Sequence, residues 1–178
     1  MRRSPPQPTT WPAWPGMPDL ERGVRLAIDV GSVRVGVARS DPDGILAVPE
    51  VTVPRDSRTL AALVAIVEEY GARVVYVGLP LTLEGTIGPA GSAAVEFAKQ
   101  LAGAAGIPVR LVDERMSTVT AQRALHEAGR TTKNSRAVVD QAAAVVILES
   151  ALAHERADGT PAGREVTVEG RERKEDRS

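Results

Sequence analysis

The sequence of 178 residues contains no cysteine, only five aromatic residues and no long apolar run. Without cysteine the chain can form no disulfide, thiolate metal site or cysteine nucleophile, and this composition suits a reducing compartment. No apolar segment approaches the ~20 residues that a membrane helix needs. Arg2 and Arg3 are not followed by the apolar run of a secretory signal. We therefore expect a protein that does not associate with membranes.

The chain also lacks an excess of charge of either sign, because its net charge is −1. No global basic field favours nucleic acid, so any such binding must depend on a local basic patch. The central part of the chain has only three aromatic residues, Tyr70, Tyr76 and Phe97. A platform for base stacking is not expected, and recognition of nucleic-acid shape or backbone is favoured.

The two ends differ in composition from the middle. Residues 1–22 hold six of the 13 prolines and show little periodicity, which predicts a disordered N-terminal tail. Residues 158–178 mix charges of both signs with few apolar groups, which predicts a second, charged tail. Residues 23–157 are left as one domain. Nothing in the sequence decides between a monomer and a homodimer.

Strand and helix patterns alternate in the middle of the chain. Strands are predicted at Val24–Val30, 33–38, Ile45–Val53, Arg73–Val77 and Ile107–Val112, and helices at 57–70, 90–104, 117–129 and 137–155. The first three strands predict an antiparallel meander. Crossover helices after the third strand predict parallel pairing from there on. The expected class is α/β, with a mixed five-stranded sheet flanked by helices.

Acidic residues occur where three of these elements can converge. Asp29 lies near the end of the first strand, with Gly31 leaving room for a ligand, and Asp113 and Glu114 follow the fifth strand. Asp140 lies in the last helix, on a face with small alanines. Converging carboxylates repel one another, and a divalent cation removes that conflict. Hard oxygen ligands favour Mg²⁺ or Mn²⁺, which suits phosphodiester hydrolysis.

Each acid also has a simpler interpretation. Asp29 alone could cap a turn, Asp113 or Glu114 could pair with Arg115, and Asp140 could be a buried aspartate paired with an arginine. Spacing does not decide whether Asp113 or Glu114 faces the metal, because neighbours at a strand end point in opposite directions.

Four motifs occur in an order that is similar to a known family: LAIDVGSVRVGVARSD, VGLPLTLEGTIGPA, VDERMSTVTA and VVDQAAAVVILES. Together they closely resemble the YqgF/RuvX family of pre-16S ribosomal RNA nucleases, which are also described as Holliday-junction-resolvase-like proteins. The resemblance covers roughly residues 24–153. It implies an RNase H-like fold, a cytoplasmic location and a role in ribosome biogenesis.

The resemblance also implies a metal-dependent nuclease site. Carried over residue by residue, its catalytic and metal-binding acids are Asp29, Glu114 and Asp140. One departure is that the family's LNMDG-like stretch is LTLEG here, so Glu84 replaces an aspartate. Glu84 could be a fourth acid near the metal, although a solvated loop position is the simpler interpretation.

Basic residues near these motifs are candidates for contact with nucleic acid. They are Arg34, Arg115, Arg130, Lys133 and Arg136, and each could instead be a solvated or salt-bridged side chain. Phosphate contacts of this kind position a substrate without reading its sequence.

Four functions remain open at this stage. The first is a nuclease that matures the 5′ end of pre-16S rRNA. The second is a Holliday junction resolvase that cuts branched DNA, and the third is a non-catalytic nucleic-acid-binding module. The fourth, a phosphotransferase of the actin and sugar-kinase type, is disfavoured because that architecture needs two such domains.

Overall fold

The structure is a computed structural model that describes residues 22–116 and 136–168. Its strands are β1 (Arg25–Val30), β2 (Arg34–Ser40), β3 (Ala47–Pro54), β4 (Val74–Leu79), β5 (Val109–Asp113) and β6 (Arg164–Glu165). Its helices are α1 (Thr59–Tyr70), α2 (Pro89–Ala105) and α3 (Arg136–Asp158), with a short 3₁₀ turn at Glu114–Met116. The predicted helix at 117–129 lies outside the described residues.

One mixed sheet contains all six of these strands, in the order β3-β2-β1-β4-β5-β6. Strands β1, β2 and β3 pair antiparallel, whereas β4 pairs parallel with both β1 and β5. The predicted α/β class, the meander and the parallel pairing that follows it are therefore confirmed. Strand β3 is an edge strand with a register shift opposite Pro49, as expected for a residue that cannot donate a backbone hydrogen bond.

The two faces of the sheet bury different helices because side chains alternate along each strand. Leu26 and Ile28 of β1 face a core that includes α1 and α2. Ala27, between them, faces the opposite core, which is built on α3. Residue 29 therefore belongs to the α3 face, and the pattern of β1 already places its carboxylate beneath that helix.

The sheet has one strand more than the five that the sequence predicts. Strand β6 pairs antiparallel with β5, and nearby Ala162 is buried against the α3 face of the sheet. The Arg110 side chain donates hydrogen bonds to the carbonyl oxygens of Ala162 and Gly163, at 2.6 and 2.7 Å. Part of the segment predicted as a charged tail thus packs on the domain. A two-residue strand held by backbone and arginine contacts has no apolar periodicity to reveal it.

Within the two described ranges, no helix is long and apolar enough to cross a membrane. Residues 1–21 and 169–178, which belong to the predicted tails, lie outside the described residues.

Candidate active site

Asp29 lies half-buried where β1 approaches its end, at the edge of the sheet where β4 and β5 also end. We call this the carboxyl edge. The residue paired with Asp29 on β2 is Gly36. A Cβ atom on Gly36 would lie 2.0 Å from the backbone oxygen of Asp140 in α3. Glycine therefore lets α3 rest directly on β2 beside Asp29, which brings Asp140 to the edge.

A second glycine makes room on the other side of Asp29. A Cβ atom on Gly78 of β4 would lie 2.6 Å from Oε1 of Glu114 and 2.5 Å from Cδ1 of Ile147. The Glu114 side chain thus folds back over the strand next to β1. Gly31, which the sequence predicts to leave room for a ligand, forms a tight turn in which its N–H donates to the Arg34 carbonyl at 2.9 Å.

Asp29 and Glu114 repel each other in a place with little solvent. Burial, together with the charge of Asp140, raises the pKa of Asp29 to about 6. Burial, followed by the charges of Asp29 and Asp113, raises the pKa of Glu114 to about 7. Among the described residues, no lysine or arginine forms an ion pair with either carboxylate. The two acids are therefore partly protonated near neutral pH unless a cation joins them.

Asp140 differs because it has a basic partner. Nε of Arg34 lies 2.8 Å from Oδ2 of Asp140, and both side chains are partly exposed. This agrees with the interpretation of Asp140 as an aspartate paired with an arginine, yet its charge still acts on Asp29. An ion pair that solvent reaches is weak, so it does not fix Asp140 in one arrangement.

The structure separates the two neighbouring acids that spacing leaves unresolved. Asp113 accepts hydrogen bonds from the backbone N–H of Arg115 at 2.9 Å and from its Nη2 at 2.8 Å. The Arg115 side chain, by hydrogen bonding, lowers the pKa of Asp113. Glu114, which has no such partner among the described residues, is the one on which the charge of Asp29 acts.

The donor set suits a hard divalent cation. Asp29 and Glu114 offer carboxylate oxygens, the ligands that Mg²⁺ and Mn²⁺ prefer, and a cation would relieve their repulsion. Within residues 22–116 and 136–168, no three acidic or histidine side chains converge closely enough to enclose an ion by themselves. Two acids with substrate oxygens and water as further ligands is the usual arrangement for Mg²⁺.

The remaining residues that the sequence predicts for the site are Glu84 and the basic residues. Arg115 packs against the loop after β4, where a Cβ on Gly85 would lie 3.0 Å from its Nη1. Glu84, in the same loop, is exposed. Arg130 and Lys133 lie outside the described residues. Arg136 begins α3, but its side chain is outside them as well.

One residue at this edge is missing from the sequence prediction. Arg55 follows β3, and its Nη1 donates to the Gly31 carbonyl at 2.8 Å. Antiparallel pairing of β2 and β3 brings the residue after β3 to the turn after β1. The antiparallel pairing of β2 and β3 is predicted from the sequence, and this pairing by itself places Arg55 near the turn after β1.

The family described as RuvX: Holliday junction resolvase matches residues 23–154. The chain belongs to the RuvX family. Relatives named "Putative pre-16S rRNA nuclease" include that of Streptomyces coelicolor, which is 53% identical over 85% of this chain and 92% of the relative. The relative from Mycobacterium ulcerans is 54% identical over 80% of this chain and 89% of its own length.

The fold agrees with that of a solved resolvase. Thermus thermophilus RuvC in complex with a Holliday junction matches with a TM-score of 0.56 at 16% identity, over 78% of this chain and 98% of RuvC. This likeness concerns the fold alone. The predicted family, RNase H-like fold and nuclease class are confirmed for this RuvX chain.

Proposed function

We propose that this RuvX protein is a Mg²⁺- or Mn²⁺-dependent endonuclease that matures the 5′ end of pre-16S rRNA in the cytoplasm. The observation that carries the metal-dependent site is the half-buried pair of Asp29 and Glu114, which has raised pKa values and no basic partner among the described residues. The RNA substrate is supported by the name that its relatives share, at about half identical residues.

Asp29, Glu114 and Asp140 would hold the metal. The bound cation supplies an activated water and stabilises the leaving oxygen of the phosphodiester. Asp29 and Glu114 must first lose their protons, so loading is coupled to proton release. If Asp140 bound the metal, its ion pair with Arg34 would open and that guanidinium would be available to a substrate phosphate.

The basic residues would bind the sugar–phosphate backbone. Arg34 and Arg115 lie beside the acids, and we assign the same role to Arg130, Lys133 and Arg136 around the start of α3. Such contacts add affinity without reading bases, which agrees with the scarcity of aromatic residues.

Cleavage assays with matched variants test this proposal. The wild type, Asp29→Asn, Glu114→Gln and Asp113→Asn would be incubated with Mg²⁺ or Mn²⁺ and a 5′-extended 16S rRNA fragment. We expect Asp29→Asn and Glu114→Gln to abolish cleavage, whereas Asp113→Asn, whose carboxylate is bound to Arg115, retains most of it. Equal loss in Asp113→Asn and Glu114→Gln would contradict the assignment of Glu114.

Branched DNA is the second candidate substrate, because the matching family is described as a Holliday junction resolvase. A four-way DNA junction in the same assay separates the two. If the protein cut the junction symmetrically and did not cleave the RNA, junction resolution would replace rRNA maturation as the proposed function. Binding of either nucleic acid without any cleavage would favour the non-catalytic module.

A further inference from the structure

The arginines at the carboxyl edge differ in whether a carboxylate neutralises them. Arg34 pairs with Asp140 at 2.8 Å, and Arg115 pairs with Asp113 at 2.8 Å. Arg55 has no carboxylate within ion-pair distance among the described residues. A positive charge at the same edge of the sheet as the acids, on its α1/α2 side and without an acidic partner among the described residues, suits a polyanionic substrate.

The Arg55 guanidinium is held in place by groups that leave its charge intact. Nη1 donates to the Gly31 carbonyl at 2.8 Å, and the guanidinium carbon lies 5.7 Å from the centre of the Phe97 ring. Its backbone N–H donates to the Val33 carbonyl at 2.9 Å. Since arginine has five N–H donors, most of them have no described protein acceptor.

The adjacent carboxylate is occupied elsewhere. Asp56 accepts from the backbone N–H of Arg58 at 2.8 Å and from its Nη2 at 3.1 Å. Arg58 is therefore neutralised and highly exposed, although it lies only three residues from Arg55. The chain thus offers a matched pair of arginines, one with a carboxylate partner and one without.

We propose that Arg55 binds a backbone phosphate of the nucleic-acid substrate on the α1/α2 side of the carboxyl edge, next along the strand from the phosphate that the acids engage on the α3 side. This inference rests on the proposed nuclease function. Gly31, which Arg55 contacts, is two residues beyond Asp29, or about 7 Å along an extended chain. Stacking on Phe97 and the bond to Gly31 orient the guanidinium before substrate arrives, so little entropy is lost on binding.

A binding experiment without catalysis tests this contact. Wild type, Arg55→Gln, Arg55→Lys and Arg58→Gln would be titrated in EDTA against the 5′-extended 16S rRNA fragment and against the four-way junction. Fluorescence anisotropy would give Kd from about 50 to 300 mM KCl, a range over which phosphate contacts change affinity steeply. Glutamine keeps a side-chain N–H donor but lacks the charge, whereas lysine keeps the charge.

We expect Arg55→Gln to weaken binding about 5- to 10-fold at the lowest salt and to reduce the slope of log K against log salt by about 0.7–0.9, the value for one phosphate contact. Arg55→Lys should keep the wild-type slope, and Arg58→Gln should change neither quantity. Circular dichroism melting would show that each variant is folded. An effect limited to RNA or to DNA identifies which backbone Arg55 contacts.

Three outcomes overturn the inference in distinguishable ways. Tight, salt-dependent binding by the wild type with an unchanged slope in Arg55→Gln would contradict the Arg55 contact alone. Reduced cleavage with an unchanged slope would likewise assign Arg55 to holding Gly31 rather than phosphate. A wild type that binds neither nucleic acid would remove the proposed function, and the Arg55 contact with it.

Discussion

Helix α3 brings an acidic residue to each end of the sheet, and the carboxylates at the two ends differ in whether basic side chains neutralise them. Near its C-terminus, Glu155 is almost fully buried and accepts from Nε and Nη2 of Arg25, both at 3.0 Å. It also accepts from the Tyr76 hydroxyl. Near its N-terminus, Asp140 lies by Asp29, which has no basic partner among the described residues.

The difference teaches that burial alone does not identify a functional acid. Glu155 is the more buried residue, yet Arg25 and Tyr76 satisfy it, which is typical of a structural contact. Asp29 and Glu114 are less buried but have no basic partner among the described residues, so ionising them destabilises the fold. The lack of a basic partner within residues 22–116 and 136–168, rather than depth, distinguishes the candidate active site.

The largest expected effect on stability comes from removing the buried Arg25–Glu155 ion pair near the C-terminus of α3. Glu155→Ala would leave Arg25 buried without its partner, which should lower the free energy of unfolding by about 3–5 kcal/mol. Urea unfolding measures this change, and the paired variant Arg25→Met with Glu155→Leu should recover much of it. A decrease in the free energy of unfolding below about 1 kcal/mol would mean that Glu155 is no more a structural residue than Asp29 is.

A smaller loss is expected where α3 rests on β2. Gly36→Ala places a Cβ atom 2.0 Å from the Asp140 carbonyl oxygen, so the helix must shift, at a cost of about 1–3 kcal/mol. Cleavage should fall with it because Asp140 moves. Gly103→Ala in α2 is the control, since its Cβ meets nothing within 4 Å and helix propensity favours alanine. Equal melting temperatures for the two variants would contradict the tight contact.

The third prediction has the opposite sign. Asp29→Asn removes a charge that the metal-free fold disfavours, so it should raise the free energy of unfolding by roughly 1–2 kcal/mol at neutral pH while it abolishes cleavage. Mg²⁺ should raise the melting temperature of the wild type more than that of this variant. Destabilisation by Asp29→Asn in EDTA would show that the carboxylate is structural, like Glu155.

The last prediction is the slope of stability with pH. The pKa of Asp29 rises from 3.8 to about 6 and that of Glu114 from 4.5 to about 7, so the folded state binds more protons than the unfolded state between these values. Their contribution to stability is therefore present in acid and is lost as pH rises from about 4 to 7. The free energy of unfolding would be measured from about pH 4 to 7 for the wild type and for the double variant that carries both Asp29→Asn and Glu114→Gln. The difference between the two slopes isolates the contribution of these carboxyl groups. A double variant with the wild-type slope would refute the assignment.

Sequence reasoning predicted the sheet because β-branched runs and glycine stops mark its strands, and it placed Asp29 on β1 through the same pattern. It left Asp113 and Glu114 unresolved, because only the turn after β5 decides which one folds back over Gly78. The roles of Gly36 and Gly78 were not predictable, since they depend on contacts with distant elements.

The Arg25–Glu155 contact escaped prediction for the same reason, because its partners are separated by 130 residues. No local periodicity encodes such a pair. Arg55 is intermediate: the predicted strand pairing places it at the edge, but only the structure shows that Asp56 is held by Arg58.

The contact of α3 with β2 has a consequence for the order of synthesis. Asp29 and Arg34 are made early, whereas Asp140 follows Arg34 by 106 residues. A chain that is still being translated presents Asp29 without Asp140, and the meander lacks the helix that covers one of its faces. The chain therefore contains all of the acids proposed to hold the metal only after the ribosome has added nearly the whole domain.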